Sequence, residues 1–213
     1  MSHILAITNK SVERMRNTLS LDSSSGGLYS VNLHDSVMSE DIWVGQRAWL
    51  EQDESFKQVI PYSVIKNKED HILVYRRTKT GGEARLHGHY SIGFGGHLDF
   101  SDVVVDRSGG IHLGASIEAA CVREIKEEIG VSPSSLKLRW RGLNEVGVII
   151  DDSTPVTRVH IGVLSTFQYT SDEEVEAAED QIEVIGFRSV DQLKKMAKEG
   201  LFEIWSKIII EKL

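Results

Sequence analysis

Helical spacing is clearest over residues 116–129, where Cys121, Val122, Ile125 and Ile129 fall on one apolar stripe. At about 100° per residue these four lie within roughly 100° of arc. The spacing predicts an amphipathic helix entered from Ser116 and stopped by Gly130 as a C-terminal cap. Strand patterns appear at 59–65 and 71–77 around a polar turn at 66–70, and again at 90–97, where the run ends in glycines. Further strands are predicted at 136–143, 145–150, 157–169 and 182–187, and helices at 190–198 and 201–213, separated by Gly200. The first 57 residues carry weaker signals: a strand at 4–7, a helix at 11–19 with Ser11 as its cap, and a polar turn at 23–27. Trp43, Trp49 and Phe56 call for burial, so this segment is expected to fold and pack on the main domain.

The polar side of the 116–129 helix changes the picture. Glu124, Glu127 and Glu128 share about 100° of arc and border the apolar stripe instead of opposing it. Carboxylates gathered beside a core repel one another unless a cation sits among them, and hard oxygen donors suit Mg²⁺ or Mn²⁺. A solvated acidic face with an Arg123–Glu127 pair is the simpler alternative.

Composition narrows the class. With 213 residues, 40% hydrophobic and 26% charged, the chain is ordinary for a soluble globular protein of one substantial domain plus an extension. Its formal charge of −8 argues against broad binding to nucleic acid or to an anionic membrane. A phosphorylated small molecule stays admissible, because a bound divalent ion reverses the local sign. The one cysteine, Cys121, forms no disulfide framework and sits on the apolar stripe as a packing residue. No signal peptide or membrane-length apolar run is visible, which predicts a cytoplasmic location.

The run Arg123-Glu124-Ile125-Lys126-Glu127-Glu128-Ile129-Gly130-Val131 resembles the core of the Nudix box, the metal-binding signature of hydrolases that act on a diphosphate linked to another moiety. Gly95-Gly96 resembles the end of the strand that leads into that helix. Gly109 lies fourteen positions before Arg123, the usual interval of the box, whereas Gly96 lies twenty-seven before it. Gly96 follows the better strand and is taken as the equivalent, with an insertion at about 99–115 that includes a hairpin around residues 106–110. The position eight before Arg123, where the box carries another glutamate, is Ala115, and Glu118 projects away from the other carboxylates. Several further stretches, among them Arg85-Leu86-His87-Gly88-His89 and Arg158-Val159-His160-Ile161-Gly162, resemble a group known only as predicted Nudix phosphoesterases.

The resemblance implies an α/β (α+β) fold, an α/β/α sandwich with a mixed β-sheet over residues 58–213, preceded by an N-terminal extension at 1–57. It implies a divalent-metal-dependent hydrolase that cleaves a pyrophosphate bond in a nucleoside diphosphate derivative, with Mg²⁺ or Mn²⁺ as cofactor. Carried over position by position, Glu124, Glu127 and Glu128 are metal ligands or metal-adjacent carboxylates, Gly96 offers a backbone oxygen, and Arg123 orients Glu124. A further carboxylate from the acidic loop is expected as base or ligand; among Glu179, Asp180 and Glu183, Glu179 is the candidate. Arg76, Arg77, Arg85 and His97 are candidates for holding the substrate. Dimers are frequent among such relatives, which makes a homodimer the candidate assembly. Two other classes stand beside the hydrolase: a non-catalytic nucleotide-sensing module, suggested by Ala115 and the insertion, and an isopentenyl-diphosphate-isomerase-like enzyme, disfavoured by the absence of a cysteine near His97.

Overall fold

The computed structural model of the chain describes residues 2–21, 26–80, 87–139 and 146–213, apart from the side chains of His34 and Val146. In chain order the elements are β1 (His3–Thr8), α1 (Asn9–Thr18), β2 (Gly27–Val31), α2 (Leu33–Ser36), β3 (Ile42–Gln46), α3 (Arg47–Leu50) and β4 (Phe56–Lys66). They continue with β5 (Ile72–Arg77), β6 (Tyr90–Ser91), β7 (Gly93–Phe94), α4 (Leu113–Ile129), β8 (Leu136–Leu138) and β9 (Val146–Ile150). The last are α5 (Pro155–Arg158), β10 (His160–Tyr169), β11 (Ile182–Arg188), α6 (Val190–Lys198) and α7 (Ile204–Ile210). The backbone forms two compact units: Met1–Tyr62, Gly96–Cys121 and Arg141–Leu164 make the first, and Ser63–Gly95, Val122–Trp140 and Ser165–Leu213 the second.

In the first unit β1 lies between β3 and the start of β4, antiparallel to both, with Ala6 opposite Trp43 on one side and Gln58 on the other. Ile4, Leu5, Ala6 and Ile7 are all buried, which places this strand in the interior. Leu98 extends the arrangement, donating its N–H to the Val59 carbonyl at 3.1 Å and accepting from the Leu5 N–H at 2.8 Å. A second group in this unit pairs β9 with both β10 and β2. Gly147 fits closely there, since a Cβ would sit 3.1 Å from Leu164 and 3.2 Å from Leu28 and would have to push them aside slightly. A buried ionic cluster completes the unit. Asp152 accepts from Lys57 Nζ at 2.6 Å and from Arg16 Nη2 at 2.5 Å, while Lys57 also donates to the Arg158 carbonyl at 2.8 Å.

Several expectations for this unit are corrected. Helix α1 starts at Asn9 with Thr8 in the cap position, and the Thr8 hydroxyl donates to Asp41 instead of capping. Ser11, expected as the cap, is fully buried inside the helix. Trp43 and Trp49 are 52% and 71% exposed, not packed inside. Trp43 lies on β3, which pairs with β1 alone among the described residues, and meets Phe56 edge-on at 5.5 Å. Leu50 takes the core position beside Gly45, so the turn that seats it directs Trp49 outward. The strand expected from residue 157 begins at His160, because Thr154 caps the short helix α5 through Thr157. The hairpin expected around residues 106–110 appears as a single antiparallel bridge, Val105 to Ile111.

In the second unit β5 is the interior strand, paired with β11 along its length and with β6 on its other side, where Tyr75 faces Ser91. The pairing with β11 shifts register between Val184 and Gly186, and Gly186 adopts φ of +95° at that bulge. Lys66 of β4 pairs with Ile72, closing the predicted hairpin, and Ser63 pairs with Phe94 of β7. The single strand expected over 90–97 is instead the two short strands β6 and β7. The Ile92 N–H between them is taken by Ser206 Oγ at 3.0 Å, which removes it from the ladder. Helix α7 is shorter than expected because Glu203 caps it, accepting from the Trp205 and Ser206 N–H groups. The strand expected at 136–143 is seen as β8, and its remainder beyond residue 139 falls outside the described residues. No helix among the described residues is long and apolar enough to cross a membrane.

Candidate active site

Helix α4 begins three residues before the expected Ser116. His112 explains the earlier start, since its Nδ1 accepts from the Ala115 N–H at 3.1 Å and caps the first turn. Leu113, Ile117, Ala120, Cys121, Ile125 and Ile129 are buried along one stripe. At the other end Gly130 takes φ of +65° and donates its N–H to the Lys126 carbonyl at 2.9 Å, the left-handed stop that the sequence indicates. Ala115 is partly buried in the capped turn and Glu118 is exposed.

The three glutamates occupy different environments. Arg123 Nη1 donates to Glu124 Oε1 at 2.8 Å and to Glu127 Oε2 at 2.9 Å, bridging the two carboxylates. Glu127 is half exposed, while Glu124 is largely covered. Glu128 is 8% exposed, accepts the Gly95 N–H, and leaves Oε2 buried without a hydrogen-bond partner among the described residues. Burial pushes its carboxyl up to about 8; the nearby Arg77 charge opposes that rise, and Glu124 and Glu179 add to it. Glu179 reaches this neighbourhood because the Ala178 N–H donates to the Glu128 carbonyl at 2.8 Å, stitching the acidic loop to the end of α4.

Strand alternation separates the two adjacent arginines. Arg76 is exposed and pairs with Glu183, its cross-strand neighbour on β11, at 2.5 Å. Arg77 lies on the same side as Tyr75, partly buried, and its charge acts on Glu128. Arg85 lies outside the described residues. Gly96 and His97 belong to the first unit, where His97 Nε2 faces His160 Nε2 at 3.2 Å and His160 Nδ1 meets the Val156 carbonyl at 2.7 Å. Burial, with Arg47 and His160 adding to it, pushes His97 down to about 3, so its ring is neutral near pH 7. The second unit thus brings together Arg77, Arg123, Glu124, Glu127, Glu128 and Glu179. Sequence reasoning selected Gly96 and passed over Gly95, whose amide meets Glu128; the signal was present in the adjacent glycine pair.

Among the described residues, no three His, Cys, Asp or Glu side chains form a ready ligand cage. Arg123 engages one oxygen of Glu124 and one of Glu127. The donor set nonetheless suits a hard divalent cation, and the buried, unpartnered Glu128 Oε2 is the atom that such an ion would satisfy. A cavity of about 400 Å³ elsewhere in the second unit is lined by Lys68, Tyr169, Asp172, Glu173, Val184 and Phe187 among others, without the α4 glutamates. Its acidic rim is unsuited to phosphate.

Comparison with known proteins places the chain in a family. The NUDIX domain family model matches residues 57–208. Protein YmaB of Bacillus subtilis (strain 168) is 33% identical over 166 residues, covering 78% of this chain and 75% of its own. The crystal structure of Tm1382, a candidate Nudix hydrolase, superposes with a TM-score of 0.71 at 27% identity, covering 98% of this chain and 96% of that one. The chain belongs to the Nudix family, with the mixed α+β fold of that family. It is an enzyme of the Nudix hydrolase class, a pyrophosphate-bond hydrolase in the general sense, and such hydrolases generally use divalent metals.

Proposed function

We propose that this enzyme hydrolyses the pyrophosphate bond of a nucleoside diphosphate derivative in a Mg²⁺- or Mn²⁺-dependent reaction centred on Glu128. The observation that carries the reading is a carboxylate buried with an unpartnered oxygen, beside Glu124 and within the field of Glu179. Buried polar atoms are ordinarily hydrogen-bonded, so an unpartnered carboxylate oxygen with a strongly raised ionisation marks a functional-site candidate.

Glu124, Glu127 and Glu128 would hold the metal; Gly96 is assigned a further oxygen on the family resemblance alone. Bound there, the ion would neutralise phosphate oxygens and acidify water. Only its carboxylate would be a ligand, so Glu128 would hold the ion in its deprotonated form. Arg123 holds Glu124 and Glu127 in register through its two N–H contacts. Glu179 receives the proton of the attacking water on its carboxylate. Arg76, paired with Glu183 on the opposite side of β5 from Arg77, is carried as a substrate-phosphate candidate on the sequence alone. Arg85 and His97 are assigned to the substrate on the family resemblance alone, as is the nucleoside moiety. The formal charge of −8 disfavours nucleic acid and anionic membrane as partners. A homodimer in the cytoplasm completes the reading.

A panel of nucleotide sugars, dinucleoside polyphosphates, dinucleotide cofactors and nucleoside triphosphates, incubated with Mg²⁺ and then Mn²⁺, tests it by chromatography of the products. Turnover of one class names the substrate. Binding of a panel member with no cleavage, equal with and without metal, would favour nucleotide sensing instead.

A further inference from the structure

Tyr75 has no place in the Nudix signature, yet three of its contacts converge on the backbone and the charge that meet Glu128. It is fully buried on β5, two residues before Arg77 and on the same side of the strand. Its hydroxyl donates to the Gly93 carbonyl at 2.9 Å. The same oxygen receives Arg77 Nη2 at 3.3 Å, and the Arg77 Cζ lies 5.7 Å from the ring centroid. Its ring packs on Phe94 at 4.8 Å between centroids. Burial pushes the phenol's ionisation up, so the hydroxyl keeps its one proton for Gly93 and is an acceptor towards Arg77.

The direction of these bonds fixes two things at once. Holding the Gly93 carbonyl, which Ser91 Oγ also reaches at 3.2 Å, and the Phe94 ring helps the β4 pairing set the peptide run that ends in the Gly95 N–H. Holding the Arg77 guanidinium sets the cation whose field reaches Glu128. We propose that Tyr75 is a positioning residue of this active site: its hydroxyl ties the Arg77 guanidinium to the Gly93 carbonyl and thereby places the charge and the amide that face Glu128. Arg77 then serves the glutamate and not the substrate phosphate. The inference rests on Glu128 being a working residue of the hydrolase.

Packing alone would also bury a tyrosine here, and the two roles separate in kinetics. Tyr75→Phe keeps the ring and its contact with Phe94 while removing the hydroxyl. On the panel's best substrate, with saturating metal, it is expected to lower kcat about tenfold with KM within twofold, since the loss falls on the transition state. Arg77→Met is expected to show the same split, whereas a phosphate-gripping arginine would chiefly raise KM. In the Arg77→Met background, Tyr75→Phe is expected to cost clearly less kcat than it does in the wild type, because one of its two routes to Glu128 is already gone. Equal losses in both backgrounds, an unchanged kcat for Tyr75→Phe, or a KM effect alone would overturn the proposal. Should Tyr75→Phe fail to fold, the kcat–KM split of Arg77→Met decides by itself. If the wild type turns over nothing, or Glu128→Gln is fully active, the hydrolase reading fails; if those controls behave and only the Tyr75 and Arg77 outcomes differ, only this inference fails.

Discussion

Glu128→Gln in metal-free protein is the perturbation whose size follows most directly from the structure. The folded carboxyl titrates near 8 against an ordinary value of 4.5, so between those pH values the native state holds a proton that the unfolded chain has lost. The sign follows by linkage: a raised folded value makes the wild type lose stability as pH rises through this window. The slope approaches 1.36 kcal/mol per pH unit, so between pH 5 and pH 7 the wild type should lose on the order of 2 kcal/mol relative to the variant. The amide has no such titration, and its own imperfect hydrogen bonding cancels when the two pH values are compared. Urea unfolding of both proteins in a chelator, at pH 5, 6 and 7, measures the gap directly. Stability curves that run parallel across this range would refute the claim that Glu128 is an uncompensated buried carboxyl. A divalent cation should reverse the trend for the wild type only, because its carboxylate is then the favoured form.

Three further outcomes follow from the same contacts. Asp152→Ala strands the Lys57 ammonium, 2% exposed, and the Arg16 guanidinium without their carboxylate. It should cost about 3 kcal/mol in urea titrations, the low end for a broken buried pair because Asp152 itself is partly exposed. Gly130→Ala forces a Cβ into the left-handed region where space is adequate, the nearest contact being Ala178 at 3.6 Å. The cost, read as a shift in thermal midpoint, should be about 1 kcal/mol and come from the backbone alone. Trp49→Ser, at a residue 71% exposed, should change stability by less than about 0.5 kcal/mol.

What the sequence made legible was local. The apolar stripe of α4, its glutamate edge and its glycine stop are set by helical spacing within fifteen or so residues, and the strands around residues 66–70 by alternation and turn chemistry. Some misses are local caps that the periodicity did not show, at the starts of α4, α5 and α7; others depend on partners distant in sequence. Ser206 takes the Ile92 N–H and splits one expected strand into two. Leu50 wins the place beside Gly45, so Trp49 faces solvent despite its apolar area. The separate fates of Arg76 and Arg77 turn on β11 supplying Glu183 to one side of β5, which no pattern within residues 71–77 encodes. Tyr75 was visible only as a strand residue. The line of contacts from its hydroxyl to the glutamate neighbourhood exists only once β5, β7 and the end of α4 are assembled. For the site, the motif named the glutamates, while their unequal burial and the role of the Gly95 amide are tertiary facts.

The central claim is that hydrolysis runs through Glu128 with a divalent cation. The most direct test is the kcat of the wild type and of Glu128→Gln on the panel's best substrate, each with saturating Mg²⁺ and again in excess chelator. Turnover is expected only for the wild type with metal, with a loss on the order of 10³-fold or more in the variant, as when a preorganised catalytic charge is removed. Equal turnover in chelator, or a Glu128→Gln enzyme within a few-fold of wild type, would contradict it.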